Sequence, residues 1–182
     1  SSAYGGLLEV GVFVSALLQD GREIGDRTGP LAGGSIGRTS NGRAITAETK
    51  MRYASASKWL YAGYVAQRRG GRLQAWDAPM LSMRSGYVHF SGCTADQTVD
   101  ACLASHANDT YEASADGKFV YGAAHMQKHA SLIGLGAMNN GGLASAMRKQ
   151  LGDDVAIGMA QPQPAGGATG TPRVYEIGRA HV

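Results

Sequence analysis

Apolar and polar positions change period several times along this chain. Leu7 to Leu18 (LLEVGVFVSALL) is dense in β-branched and other apolar side chains, which predicts one strand or two. Gln19-Asp20-Gly21 closes that run as a hairpin turn, and Arg22 to Gly25 starts the expected returning strand. Gly29 to Gly42 is rich in glycine and small polar residues and reads as a long loop. Thr46-Ala47-Glu48-Thr49 reads as a turn ahead of a buried segment.

The pattern then becomes helical. Over Ala54 to Arg69 (ASASKWLYAGYVAQRR), Trp59, Leu60, Tyr64 and Val65 recur at near-helical spacing, Arg68 and Arg69 suit a C-terminus, and Gly70-Gly71 stops the helix. Trp76 to Pro79 breaks the pattern, and Met80 to Met83 is a short apolar piece ended by Ser85-Gly86. Thr98 to Ala107 predicts a short helix, Asp116-Gly117 a turn, Gly122 to Met138 a second long helix, and Leu143 to Leu151 a third. Residues 161–172 (QPQPAGGATGTP) carry no periodicity and read as a low-complexity, structureless stretch. The expected organisation is a domain over 1–160, a low-complexity segment over 161–175, and a tail over 176–182. That tail (EIGRAHV) resembles the in-frame translation of a sequencing adapter and is expected not to be natural sequence.

Composition narrows the function. The net charge of +3 is small and evenly spread, which argues against nucleic acid or a membrane surface as partner. The longest apolar run, Val10 to Leu18, falls well short of the ~20 residues that span a bilayer. Cys93 and Cys102 are too few for a zinc site, and read either as two buried thiols or as a short-loop disulfide. His125 and His129 stand four apart on a predicted helix, but no Glu lies between them, so they read as ordinary helix-surface or core histidines rather than metal ligands. No phosphate-binding glycine loop occurs, so no nucleotide, metal or other cofactor is expected.

One element carries chemistry. Ser55-Ala56-Ser57-Lys58 is an S-x-x-K element at the start of the clearest helix, and three positions is just under one turn, so Ser55 and Lys58 share a face. A serine hydroxyl becomes a nucleophile when a neighbouring base takes its proton, and a lysine amine can be that base. The helix N-terminus adds a backbone N–H for an oxyanion. On spacing alone the same residues also fit a plain helical serine beside a solvated lysine.

The longer string MRYASASKWL resembles the active-serine helix of the penicillin-recognising, β-lactamase-like serine hydrolases, a superfamily that includes class C β-lactamases, D-alanyl-D-alanine carboxypeptidases and β-lactamase-like esterases. The strand, the D-G turn and Thr46 to Thr49 precede it in the family's order. Leu81 to Gly86 (LSMRSG) resembles the family's L-L-S-H-T-S-G stretch, with Met83 or Arg84 where the family has histidine. Gly117 to His125 (GKFVYGAAH) resembles the P-G-x-x-F-x-Y-S-N segment, placing the family's tyrosine on Tyr121 and Ala123 where the family has Asn or Ser.

The resemblance, over roughly Val10 to Leu151, implies an α+β β-lactamase/transpeptidase-like fold. It also implies acyl transfer through Ser55, Lys58 and Tyr121 on a small-molecule ester, β-lactam or D-amino-acid amide. It implies a secreted or periplasmic protein with Cys93 paired to Cys102. The family's third pocket element, K-T-G or H-x-G, is not found after Tyr121, so the fold is expected to be incomplete, lacking its C-terminal sheet strands, and the chain to be inactive, with residues from about Gln161 unpacked. The rival expectation is a non-catalytic hydrolase-like domain that binds a cell-wall peptide or a partner protein.

Overall fold

The computed structural model describes residues 12–16, 32–39, 41–46, 48–153 and 156–171. They fall into two units, Ser1–Thr49 and Lys50–Val182.

In the first unit, β1 (Val12–Ala16) pairs antiparallel with β2 (Ala32–Ile36) in the register Val12 to Ile36 and Ala16 to Ala32. The strand expected from the apolar run is present, and it is paired. Its returning strand, however, is AGGSI from the stretch read as loop; Asp20-Gly21 and Arg22 to Gly25 lie outside the described residues. A ladder with β1 satisfies the backbone of a segment whose own strand propensity is low, so pairing overrides propensity here. Thr46 to Thr49 forms the expected turn, closed by Thr49 N–H to the Thr46 carbonyl at 3.1 Å.

The second unit is a mixed α/β body of small sheets and helices. Its elements are β3 (Met51–Arg52), α1 (Ser57–Arg68), α2 (Asp77–Leu81), β4 (Ser85–Tyr87), α3 (Val99–Ala104), β5 (Tyr111–Asp116), α4 (Ala124–Ala130), α5 (Asn140–Leu151), β6 (Gly158–Met159) and β7 (Ala168–Gly170). β7 lies between β3 and β6, and β4 pairs with β5, all antiparallel. The core gathers Leu60, Tyr61, Tyr64 and Val65 of α1 against Met126 of α4 and Leu143 and Met147 of α5. α1 packs on α5, and α2 on α4.

Local signals explain most boundaries. Thr98 caps α3 by accepting from Ala101 N–H at 3.1 Å, and Asn139 caps α5 by accepting from Gly142 N–H at 3.1 Å. Gly70 and Gly71, with φ of +61° and +80°, end α1. Trp76 to Pro79, expected to break the pattern, instead starts α2: Pro79 falls in the first turn, where a missing N–H costs no helical bond.

Two further expectations fail for physical reasons. The long helix over Gly122 to Met138 is broken: α4 passes into a π turn over Ser131–Leu135, and Gly134 sits at φ +86°. The chain is thereby redirected so that the Gly136 and Met138 carbonyls accept from the Asp100 and Val99 N–H groups, at 2.9 and 3.0 Å. Those are donors that the start of α3 would otherwise leave unpaired. The stretch expected to be structureless from Gln161 onward is packed through Thr171. Pro162, Pro164, Ala165 and Ala168 are buried, and β7 is the middle strand of its sheet. Small side chains let the backbone approach itself: Gly167 N–H bonds the Gln163 carbonyl at 2.6 Å, and a Cβ on Gly167 would strike the Gln161 carbonyl. Residues 172–182, including the tail at 176–182, lie outside the described residues.

Cys93 and Cys102 form a disulfide with a Cα separation of 5.2 Å. Asn108 braces it, donating to the Cys102 carbonyl at 2.8 Å and accepting from Ser91 N–H at 2.7 Å. The closed loop is short, so replacing both cysteines with serine is expected to cost about 2 kcal/mol, at the low end for disulfides. Urea unfolding of the double variant checks this; an unchanged midpoint would show that the Asn108 bonds alone hold the loop.

Candidate active site

The site is built where β3 runs into α1. Tyr53, buried after β3, donates its N–H to the Ala168 carbonyl at 2.9 Å and its hydroxyl to the Thr171 carbonyl, so the strand end is fixed on β7. Ala54 then takes φ +44°, a left-handed conformation that a residue with a Cβ seldom adopts. It opens a 3-10 turn, Ala54–Ala56, that precedes α1. The predicted helix over Ala54 to Arg69 therefore begins with this tighter turn. Ser55 lies in it, exposed, and Lys58 lies half-buried in the first turn of α1.

Lys58 Nζ donates to the Ala165 carbonyl at 3.4 Å and stands 4.7 Å from the centroid of the Tyr121 ring. Tyr121 is 60% exposed, and Ser55 and Lys58 are the two side chains that act on its hydroxyl. Interaction with Ser55 first, then with Lys58 and its charge, holds the Tyr121 hydroxyl below its ordinary value. Of the three residues expected at the site, Lys58 and Tyr121 thus stand in contact, and Ser55 precedes Lys58 by three positions at the helix start.

The loop carrying Tyr121 is held from beneath. Val120 N–H bonds the Met83 carbonyl at 3.0 Å, Gly117 N–H bonds the Arg84 carbonyl at 2.9 Å, and the Arg84 guanidinium reaches the Gly117 carbonyl at 3.0 Å. Met83 and Arg84 mark the departure from the family's L-L-S-H-T-S-G pattern, and here their backbone carbonyls do the holding. His125 adds a fourth tie. Its Nε2–H donates to the Val120 carbonyl at 2.9 Å, so its Nδ1 accepts from the Ser85 hydroxyl at 2.7 Å.

His129 is likewise a core residue. Its Nε2–H donates to Asp77 Oδ1 at 2.9 Å, and its Nδ1 accepts from the Tyr61 hydroxyl at 2.7 Å. Burial, above all, pushes the Tyr61 phenol up, which keeps it a donor. Among the described residues no group of three or more His, Cys, Asp or Glu is placed to hold a metal ion, and no helix is long and apolar enough to cross a membrane. His89 pairs with Glu112 at 3.2 Å on the surface, and His181 lies outside the described residues.

Burial lowers both His125 and His129 from 6.5; the Val120 carbonyl opposes this for His125, and Asp77 opposes it for His129. Below 6.5 the unfolded chain therefore binds protons that the folded chain refuses. Stability is full above 6.5 and falls as pH drops through and below it. The thermal midpoint is expected to decline steadily from neutral pH to about pH 5. A midpoint flat over that interval would show that neither histidine is held neutral by the fold.

Sequence reasoning missed two contributors. The Ala165 carbonyl that receives Lys58 is a backbone atom in a stretch without periodicity. Ser57, read only as part of the S-x-x-K string, is fully buried, and its Oγ accepts from Ala168 N–H at 3.1 Å.

No known family model matches the sequence, and no curated protein matches it either. Solved structures do match the fold. D-amino acid amidase from Ochrobactrum anthropi SV3, complexed with L-phenylalanine, superposes with a TM-score of 0.55 over 80% of this chain at 12% identity. The chain has the fold of the β-lactamase-like serine hydrolases. A second structure of the same amidase gives a TM-score of 0.52 over 78% of this chain, again at 12% identity. In each case the chain spans 58% of the amidase's length. Identity this low carries the architecture and leaves the chemistry to the site itself.

Proposed function

We propose that this β-lactamase-like domain belongs to a serine hydrolase that works through an acyl-enzyme. Ser55 Oγ attacks the carbonyl carbon of the substrate while its proton passes to the Lys58 amine. The Ser55 backbone N–H at the helix start faces the developing oxyanion. The carbon–heteroatom bond of the substrate then breaks, and the leaving group takes a proton relayed through Tyr121. Water hydrolyses the ester on Ser55, returning the serine hydroxyl and releasing the carboxylic acid. The observation that carries this reading is the Lys58 amine, three positions after Ser55 at the helix start, standing 4.7 Å from the centroid of the Tyr121 ring.

The substrate is an amide or ester of small size, in the range of D-amino-acid amides, carboxylic esters and β-lactams. The fold shared with D-amino acid amidase supports the amide end of that range. Ala123, buried and apolar, stands where the family places Asn or Ser, so no side-chain amide is offered there to a β-lactam. An esterase or a peptidase fits that change better than an efficient β-lactamase. The disulfide favours an exported protein.

Labelling by a fluorophosphonate probe, with the modified residue mapped by mass spectrometry, tests the reading. Modification is expected at Ser55 and lost in Ser55→Ala. Modification of another serine would reassign the nucleophile, and tight binding of an amino-acid amide without Ser55-dependent chemistry would favour a binding module.

A further inference from the structure

The second serine of the S-x-x-K string does not face the site, yet two bonds tie its surroundings to Lys58. Ser57 Oγ lies 3.1 Å from Ala168 N–H in a fully buried contact. Three residues earlier, the Ala165 carbonyl receives the Lys58 amine at 3.4 Å. Ala165 lies inside one tight turn, and Ala168, the first residue of β7, directly follows it. Within it Gly166 N–H and Gly167 N–H share the Gln163 carbonyl at 3.0 and 2.6 Å, and the Gly167 carbonyl accepts from Ala160 N–H at 2.7 Å. The turn is also anchored from behind, where Gln127 donates to the Pro162 carbonyl at 3.0 Å. A turn held this closely transmits position: Gly167, bonded through both its N–H and its carbonyl, couples Ala168 to the Ala165 carbonyl.

We infer that Ser57 is a positioning residue for Lys58, acting through the turn 163–167. Adjacent residues on a helix point about 100° apart, so Ser57 and Lys58 cannot serve the same face. The string thereby divides its work. Ser55 and Lys58 face Tyr121, and Ser57 grips the turn whose carbonyl fixes the lysine. With Ser57 in place, Lys58 Nζ is held between the Ala165 carbonyl and the Tyr121 ring rather than swinging into solvent on its flexible stem. Without it, the buried Ala168 N–H loses its acceptor and the turn shifts to satisfy it.

The inference rests on the hydrolase reading only for its effect on rate, so two measurements separate the two claims. The first is competitive acetylation of the 182-residue chain by acetic anhydride, read lysine by lysine by mass spectrometry. In Ser57→Ala, Lys58 is expected to react several-fold faster relative to the exposed Lys118 and Lys149, and Ser57→Thr, which keeps the acceptor oxygen, to return it towards the original rate. If Ser57→Ala does not fold, as judged by its thermal transition, Ser57→Cys replaces it, with the weaker sulfur acceptor giving a smaller change in the same direction. Unchanged Lys58 reactivity in a folded Ser57 variant would overturn the inference.

The second is a double-mutant cycle on the limiting rate of fluorophosphonate acylation. Ser57→Ala is expected to slow the limiting step roughly tenfold, the scale of a sub-ångström misplacement, with the probe concentration at half-saturation unchanged. It is expected to have no further effect in a Lys58→Ala background. Equal losses in both backgrounds would mean that Ser57 does not act through Lys58. A chain that shows no Ser55-dependent labelling would defeat the hydrolase reading, while the acetylation result would still decide the role of Ser57.

Discussion

Ser55→Ala is expected to abolish acyl-enzyme formation and to lower turnover by roughly 10⁴–10⁶-fold, the range seen when a serine hydrolase loses its nucleophile. The variant should fold normally. Ser55 is exposed, lies in a 3-10 turn and buries no side chain, so its hydroxyl can be removed without opening a cavity. The partners should fall less steeply. Lys58→Ala removes the base and Tyr121→Phe the relay, each expected to cost about 10²–10⁴-fold, the usual yield of positioned proton transfer. The three changes should not add, because they interrupt one process; a triple variant should be little slower than Ser55→Ala alone. Steady-state rates on an amino-acid amide and on a simple ester, each set against Ser55→Ala, measure all of this. Turnover that survives in Ser55→Ala would assign the chemistry to another residue and would leave the meeting of Tyr121 and Lys58 as a structural contact.

What could be read from sequence divides by the kind of force involved. Helix α1 was legible because its apolar positions repeat at 3.6 and Gly70-Gly71 supplies a stop, both local features. The shared face of Ser55 and Lys58 follows from helical geometry alone, and Tyr121 was placed by its motif and by its order relative to the S-x-x-K string. The break at Gly134 was not legible. A glycine among small apolar residues reads as helix until the distant start of α3 claims the Gly136 and Met138 carbonyls. The turn at 163–167 failed for a related reason. It is held by backbone bonds and by small side chains, so it leaves no periodic trace, although it buries Pro164 and supplies the acceptor for Lys58. The strand β2 was hidden by its glycines, since only its partner β1 makes it a strand. Ser57 shows the limit most plainly: its identity was visible, but its buried acceptor role depends on a residue 111 positions away.

The largest loss of stability is expected from Asp77→Ala. Asp77 is fully buried at the start of α2, and its carboxylate gathers four donors. Arg69 binds it through two nitrogens at 3.0 and 3.1 Å, His129 Nε2–H reaches it at 2.9 Å, and Gln74 N–H at 2.8 Å. Burial alone would push this carboxyl up, but the bonds from Arg69, His129 and Gln74 outweigh it, so it titrates below its ordinary value. The group therefore stabilises the fold above its unfolded value of 3.8, and that contribution is lost as pH falls through the folded value. Removing it strands a guanidinium stacked 5.2 Å from the Trp76 ring and leaves the buried His129 Nε2–H without its acceptor. Breaking one side of a buried charged pair typically costs about 3–5 kcal/mol, far more than the pair itself contributes. Asp77→Asn should cost less, because an amide oxygen can still accept from one of the donors. The loss should also spread through α1, since His129 Nδ1 holds the Tyr61 hydroxyl and Tyr61 lies at the centre of the core. Chemical unfolding of the two variants at neutral pH gives the ranking. Repeating it as pH is lowered past the folded titration point should bring Asp77→Ala and the parent chain together, because the parent's carboxyl is then protonated as well. A gap that persists there would mean that Asp77 matters for its packing and not for its charge.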